Sequence, residues 1–326
     1  MKLDAPFTQL PICFDVDRLA AEVNALGESH WRPHPQGYAG NDFLPLLSVN
    51  GDPRNETFEG PMRPTPFLEQ SPYLVDVMAR IGASLGRTRL MRLAGNAEVS
   101  EHVDVHYYWR EHMRVHVPII TQPTVTFYCG DQQTHMAAGE CWIFDTWRLH
   151  RVINDAERSR VHLVIDTVGG GSFFELARRG KRPEQTIPGW APQMVAPYGA
   201  QIRDLPLEAY NLPLVMTPWE AGEHIRFLLS EAEQSSAGLP QIAEDCRRFL
   251  EVWRSLWAIY GDDGAGRPHY KKALVGFVDL LKAHHAERVP MRNEVDLAIC
   301  LMSLVVNVAL GNEQVDRRRN APVPAI

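Results

Sequence analysis

The sequence predicts a mainly β core of jelly-roll type, a cupin-like double-stranded β-helix, with helices before it and an α-helical bundle after it. Three observations lead there. Between Arg89 and Val168 six short strand-like segments follow one another: RLMRLA, VSEHVDVHYY, MRVHVPII, VTFYC, ECWIFD and SRVHLVID. Several of them alternate polar and apolar residues, which on a strand places the polar side chains on one face, here the inner face of a small β-structure. After about residue 219 the apolar spacing changes to the helical period.

Taken in order, Val16, Leu19, Ala20, Val23 and Leu26 fall at helical spacing and predict an amphipathic opening helix. Residues 29 to 70 are rich in Pro, Gly, Asn and aromatics and read as irregular or short-strand chain. A second helix is expected from Pro72, a first-turn proline, to Leu85, with Gly86 as its stop. Within the strand-rich stretch, Gly130-Asp131 and Gly139-Glu140 supply turns. Residues 183 to 218 hold seven prolines and read as an extended connector. Ile242, Cys246, Phe249, Leu250, Trp253, Leu256 and Trp257 then form one apolar stripe, and helices over 268–285 and 293–311 complete a bundle. Trp253 and Trp257 belong to the core of that bundle. There is no internal repeat and no low-complexity segment apart from the basic RRRN near the C-terminus. The expected division is a jelly-roll domain over 1–180, a Pro-rich connector over 181–218 and a helical domain over 219–326. The stripes of the helical domain must bury against each other, the barrel mouth or a second subunit, so a homodimer through these helices is one expectation.

Composition excludes several function classes. The chain has 326 residues, 45% of them apolar, and a formal net charge of −7. That is enough for a sizeable core, and the charge argues against a phosphate-backbone partner, which needs a basic face. Five scattered cysteines (13, 129, 141, 246 and 300), with no CxxC pair, fit reduced thiols in a cytoplasm better than a disulfide framework. The start, MKLDAPFTQLPICFD, has no uninterrupted apolar stretch of signal-peptide type. Val295 to Leu310 is apolar but short for a span and contains Asp296, Ser303 and Asn307, so a buried core helix is expected and no membrane partner.

The chemistry concentrates in a few positions. His102 and Asp104 are two apart, so on a strand an imidazole and a carboxylate point to one side. His106 shares that side if the strand stays regular, and competes for the same role. With His150 the set becomes two histidines and a carboxylate, which leaves three positions of an octahedral Fe(II) open. These can accept a bidentate 2-oxo acid and O₂. Arg160, ten residues further on, can grip the far carboxylate of that acid in a bidentate fork. Arg114 with His116, and Arg160 with His162, each share a strand face. Buried unpaired charges of this kind cost several kcal/mol (an order-of-magnitude figure) unless an anion neutralises them, and a dianion such as 2-oxoglutarate would. Asn154 is a candidate for orienting the imidazoles. His112 and His135 read as solvated loop residues, and His30 and His34, near Trp31 and Tyr38, either as the edge of a substrate mouth or as loop histidines without a role.

The segments EHVDVHYYWREHMRVHVPI and GECWIFDTWRLHRVINDAERSRVHLVID resemble the aspartyl/asparaginyl β-hydroxylase family of Fe(II)/2-oxoglutarate oxygenases. The resemblance covers roughly residues 89 to 170 and is weaker just before them. It implies His102 and His150 as iron ligands, Arg160 as the binder of the co-substrate's C5 carboxylate, His116 as a further co-substrate contact and Arg114 as the holder of a substrate carboxylate. Asp104 sets the chain with the HxD form found in bacterial free-amino-acid hydroxylases, proline hydroxylases among them, and favours hydroxylation over halogenation, in which that ligand position is vacated. The implied reaction hydroxylates a C–H bond of an amino acid or amino-acid residue (free, peptide-borne or carrier-tethered) and releases succinate and CO₂. A cupin-like metal-dependent binding or sensing protein without turnover is the alternative, and it would need no Arg160. Residues 183 to 326 have no counterpart in the resemblance.

Overall fold

The computed structural model describes residues 1–311, so the RRRN run lies outside the described residues. The chain divides into two compact units, one of residues 1–104 and 111–211, the other of residues 105–110 together with those from Leu212 onward.

The first unit opens with β1 (Phe7–Cys13) and α1 (Val16–Ala25), the helix expected from the sequence. The Asp15 carboxylate caps α1 by accepting from the Arg18 N–H. There follow β2 (Arg32–Pro33), β3 (Asn41–Val49), β4 (Met62–Pro64), the single turn α2 (Pro66–Glu69) and α3 (Pro72–Ile81). α3 starts at Pro72 as expected but ends four residues early, because Gly82 takes the left-handed conformation (φ 67°) that closes a helix. Gly86 is instead inside β5 (Ser84–Leu93). Next come β6 (Ala97–His102), β7 (Met113–Ile120), β8 (Val125–Cys129), β9 (Gln132–Thr134), β10 (Glu140–Phe144), β11 (His150–Asn154), β12 (Arg160–Gly169), α5 (Gly171–Arg178) and β13 (Gln193–Met194); between β6 and β7 runs α4 (Tyr107–Glu111), which belongs to the second unit up to Arg110.

The expected strand VSEHVDVHYY is therefore cut at His102. The His106 carbonyl accepts from the Arg110 N–H and its Nδ1 from the Tyr108 N–H, which turns the aromatic run into a short helix instead of a strand.

A large sheet runs β13-β1-β10-β7-β12-β5-β3-β2, with β4 paired to β3, and a small sheet runs β6-β11-β8-β9. This is the double-stranded β-helix expected from the sequence. Pleat alternation sorts the side chains. Val115, Val117, Leu163 and Ile165 go to the core shared with helix residues such as Leu19, Leu74, Val77 and Phe173. Phe144 and Trp142 of the large sheet meet Val99, Phe127 and Val152 of the small one. Arg114, His116, Arg160 and His162 are left on the opposite face from the valines. The proline-rich stretch is no free linker. Asp76 accepts from the N–H groups of Gly199 and Ala200, Glu208 pairs with His112, and β13 lies beside β1 in parallel.

The second unit contains α6 (Pro218–Glu231), α7 (Leu239–Tyr260), α8 (Arg267–Ala283) and α9 (Leu297–Leu301). Thr217 caps α6, with Pro218 in its first turn. The expected stripe is buried at Ile242, Cys246, Phe249 and Trp253; Phe249 stacks on Phe277 at 4.3 Å and Trp253 meets Tyr270 at 4.6 Å. The helix expected over 293–311 is shorter: α9 gives way to a π-helical turn over Met302–Val306, where the Asn307 N–H reaches the Met302 carbonyl. No described helix is long and apolar enough to cross a membrane.

Candidate active site

β6 and β11 pair antiparallel with His102 directly opposite His150, and the ring centroids are 4.3 Å apart. Each imidazole is tied through Nδ1 to the carbonyl two residues before it, His102 to Ser100 at 2.8 Å and His150 to Arg148 at 2.9 Å. A carbonyl only accepts, so both rings carry a proton on Nδ1, which leaves Nε2 as the atom each can offer to a metal. Asp104 is past the end of β6, held by its N–H to the Thr146 carbonyl at 3.1 Å. Its two oxygens each stand 3.9 Å from one Nε2, Oδ1 from His102 and Oδ2 from His150. The three ligand atoms lie within 4.8 Å of one another, and this is the only such group of His, Cys, Asp or Glu among the described residues. His106, its ring nitrogen occupied by the Tyr108 N–H, is not part of it.

Charge suits the same purpose. Burial presses the His150 pKa down to about 4 against the opposing pull of Asp104, so the ring is neutral at pH 7. Burial works against ionising Asp104, but Arg114, followed by His150 and His102, outweighs it and holds the carboxyl below its usual range. The Arg114 Nη1 stands 2.8 Å from Asp104 Oδ2, and its Nε is 3.3 Å from Asp166 Oδ1. Arg87 approaches the other Asp166 oxygen at 3.6 Å. A chain of alternating charge, Asp104–Arg114–Asp166–Arg87, thus runs from the candidate ligand across β7, β12 and β5. The residue expected to hold a substrate carboxylate faces two carboxylates of the protein.

Arg160 begins β12 and is 4% exposed, yet its Nε and Nη1 have no hydrogen-bond partner. Burial lowers its pKa to about 10, so it stays charged. Beside it on the same face is His162, stacked on Phe127 at 5.3 Å, and the Arg160 guanidinium is 5.4 Å from that ring. His162 and His116 share one bond between their Nδ1 atoms at 3.3 Å, and neither Nε2 has a partner. Burial, reinforced by nearby arginines, keeps both rings neutral. One ring must then donate through Nδ1 and keep a bare Nε2, while the other accepts at Nδ1 and offers Nε2–H. Orphaned donors on a buried guanidinium are costly and fit a carboxylate ligand.

The approach of the chain to Arg160 rests on Gly95, where a Cβ would stand 2.0 Å from the Glu157 carbonyl oxygen. Asn154 does not orient an imidazole. Its amide donates to the carbonyls of Leu93, Ala94 and Arg158 and pins the turn that delivers Arg160.

Two histidines differ from expectation. His112 is not solvated but 2% exposed, with Nε2 2.8 Å from Glu208. His135 is half-buried against the Val125 carbonyl. His34 does lie among the arginines: its pKa falls to about 3 through burial and then Arg89, Arg87 and Arg114. The sequence reading passed over Arg87 and Asp166, although the i, i+2 pair Arg87 and Arg89 repeats the alternation seen at Arg114 and His116.

Residues 58–169 match the model of the aspartyl/asparaginyl beta-hydroxylase family, which bears out the resemblance read from the sequence. The chain is 30% identical over 175 residues to L-proline cis-3-hydroxylase 1 of a Streptomyces species, covering 49% of this chain and 59% of the relative. It is 28% identical over 141 residues to L-proline cis-3-hydroxylase 2 of a Streptomyces species, covering 40% and 48%. The chain thus spans about half of the length of these curated relatives. Among solved structures, an oxidoreductase of the 2OG-Fe(II) oxygenase family from Burkholderia pseudomallei aligns with a TM-score of 0.38 at 14% identity, over 52% of this chain and 88% of that one.

Proposed function

We propose that the chain is an Fe(II)/2-oxoglutarate-dependent hydroxylase of an amino acid or amino-acid residue. The observation that carries this reading is Arg160, a buried cation with two orphaned donors, beside the His102, Asp104 and His150 set. A protein that only bound a metal would have no need of that cation.

In this reading Nε2 of His102, Nε2 of His150 and a carboxylate oxygen of Asp104 hold the metal. When bound, the iron supplies the activation of O₂ by which a C–H bond is oxidised and the 2-oxo acid loses CO₂. The protein's part is binding and orientation. Arg160 takes the far carboxylate of the co-substrate in a charge-assisted fork, and the Nε2–H of the His116–His162 pair supplies a neighbouring donor. Phe127 packs against His116, His162 and Arg160, and Phe144 against His116, so the region has an apolar side. Arg114 fixes the ionised state of Asp104.

The names of the relatives point to a free amino acid of the proline type as the substrate to try first. The five free thiols accord with a reducing compartment. Self-association through α7 and α8, which expose Val252, Ile259 and Val275, is part of the same proposal and is read by sedimentation.

The test is an anaerobic titration with Fe(II) and 2-oxoglutarate, followed by a screen of amino acids for succinate release. A weak visible charge-transfer band and substrate-dependent succinate support the proposal. Metal uptake with no effect of 2-oxoglutarate would instead identify a metal-binding protein without turnover.

A further inference from the structure

The residue expected to hold a substrate carboxylate, Arg114, stands between two carboxylates of the protein. The inner face of the large sheet carries another cation one row away. On β5, Arg89 pairs across with Val164 of β12, and Val164 in turn with His116 of β7, so the three share a face. Leu90, the next residue, turns to the opposite core. In the following row Met91 stands between Phe43 of β3 and His162 of β12. Phe43, Met91 and Val164 are buried together as a small apolar cluster. The Arg89 guanidinium is 5.4 Å from the centre of the Phe43 ring, and the His34 ring meets the same ring edge-on at 6.2 Å. From His34 the contacts lead to the candidate metal ligands: its ring is 6.1 Å from that of Tyr38, which is 5.8 Å from that of His102. Burial and the three arginines Arg89, Arg87 and Arg114 keep His34 neutral. Its Nδ1 accepts from the Gln36 N–H at 3.4 Å, so the ring proton is on Nε2, ready to donate.

We propose that Arg89 and the Nε2–H of His34 bind the carboxylate of the substrate, with the patch of Phe43, Met91 and Val164 under its carbon skeleton. The guanidinium offers a carboxylate two parallel donors, and the neutral imidazole adds a third that gives direction without further charge. The apolar patch then accepts a compact hydrocarbon skeleton and offers no partner to a polar side chain. The site is distinct from that of the co-substrate. Arg89 is level with Val164, four residues from Arg160 on β12, which is about 13 Å of strand at ~3.3 Å per residue. Each anion thus has its own cation. The inference rests on the oxygenase reading above and chooses among the substrates it allows. The fitting class is a small apolar amino acid with a free carboxylate. A residue inside a peptide chain, or one joined to a carrier through its carboxyl group, has lost the group that Arg89 and His34 recognise.

Calorimetry on the full-length chain with Mn(II) and 2-oxoglutarate tests this. L-Proline and the other proteinogenic amino acids are titrated, each against its carboxamide, into wild type, Arg89→Met, His34→Phe and His34→Gln. The thermal shift produced by 2-oxoglutarate is recorded for every variant. Wild type should bind a small apolar amino acid and prefer it to its amide by about 10-fold or more. Arg89→Met should weaken the acid by about 10- to 100-fold, the size of a lost charged hydrogen bond, and leave the amide little changed. His34→Phe should weaken the acid by about 10-fold, and His34→Gln, which keeps an N–H, should restore most of that loss. All three variants should keep the 2-oxoglutarate shift. A residue that only supported the fold would weaken acid and amide alike. Arg89→Met and His34→Phe proteins that retain the wild-type preference for acid over amide would overturn the subsite. So would a wild type that responds to 2-oxoglutarate and binds no amino acid; both results leave the oxygenase reading standing. A wild type with no 2-oxoglutarate shift removes that reading and the subsite with it.

Discussion

Replacing Arg160 by methionine should change two quantities in opposite directions. Burial lowers the guanidinium pKa from 12.5 to about 10, so holding the charge in the anion-free protein costs about 3 kcal/mol at ~1.36 kcal/mol per unit. Methionine keeps most of the stem and removes the charge. Against this gain stands the loss of the guanidinium over Phe127, 5.4 Å from the ring centroid, worth about 0.5–2 kcal/mol. The anion-free protein should therefore gain about 1–2 kcal/mol, or roughly 2–8 °C in melting temperature for a unit of this size. Co-substrate binding moves the other way. Two charged hydrogen bonds, at about 1.5–3 kcal/mol each, raise the 2-oxoglutarate dissociation constant by roughly two to four orders of magnitude when lost. Scanning fluorimetry with Mn(II), with and without 2-oxoglutarate, reads both effects in one plate. Wild type should be stabilised by about 2.7 kcal/mol at a hundredfold excess of 2-oxoglutarate over its dissociation constant, and the variant should start higher and not respond. A variant that melts lower without ligand and keeps the full 2-oxoglutarate shift would refute the argument. Arg160→Lys should fall between, since an ammonium cannot form the planar fork.

Three further outcomes are expected. Asp104→Ala should lose the bound metal while His106→Ala keeps one per chain; equilibrium dialysis decides, and the reverse result would show that the ligands were misassigned. The metal-free protein should lose stability as pH falls. Burial leads the depression of His34 to about 3, of His224 to about 4 and of His162 well below its ordinary value. Lowered histidine values leave stability whole above about 6.5 and remove it as pH falls toward 4, at up to about 1.4 kcal/mol per pH unit per group. The urea midpoint should drop from pH 7 to pH 5, less steeply in His224→Leu, and a flat midpoint would contradict the burial argument. Glu208→Ala should destabilise the first unit by about 1–3 kcal/mol, because it removes a buried hydrogen bond between the His112 imidazole and the Glu208 carboxylate; chemical unfolding that matches wild type would show that the proline-rich stretch does not brace the jelly roll.

The strand segments, the helix of Val16–Ala25 and the apolar stripe from Ile242 were legible because local period and burial agree in them. His102 and His150 were singled out from the sequence, and the small sheet sets them opposite each other, a pairing that alternation along one strand does not announce. Position 104 was reached by the wrong route. Alternation along one strand put its side chain beside His102, whereas β6 has ended by then and a turn delivers the carboxylate. No local rule announces that turn, in which the His106 Nδ1 accepts from the Tyr108 N–H and the aromatic run becomes a short helix. Arg114 shows the same limit. Its face was right, but its carboxylates come from Asp104 and from Asp166 on a neighbouring strand. Composition likewise marked 183–218 as a connector, although the N–H groups of Gly199 and Ala200 and the Glu208 carboxylate are bound by residues early in the chain.

The membership of residues 105–110 in the helical unit has a consequence for synthesis. Tyr107 and Glu220 are separated by 113 positions. At about 5–20 residues per second on the ribosome, roughly 6–20 s pass between the emergence of one and the arrival of the other. The last strand of the jelly roll ends at Met194, late in that interval, and throughout it Tyr107, Tyr108 and Trp109, all buried in the finished protein, lack the helices that enclose Tyr107. Three adjacent aromatic side chains on a nascent chain are a hazard for association with other nascent chains and a natural place for a chaperone to hold. The yield of folded protein is thereby tied to how quickly its C-terminal third is made.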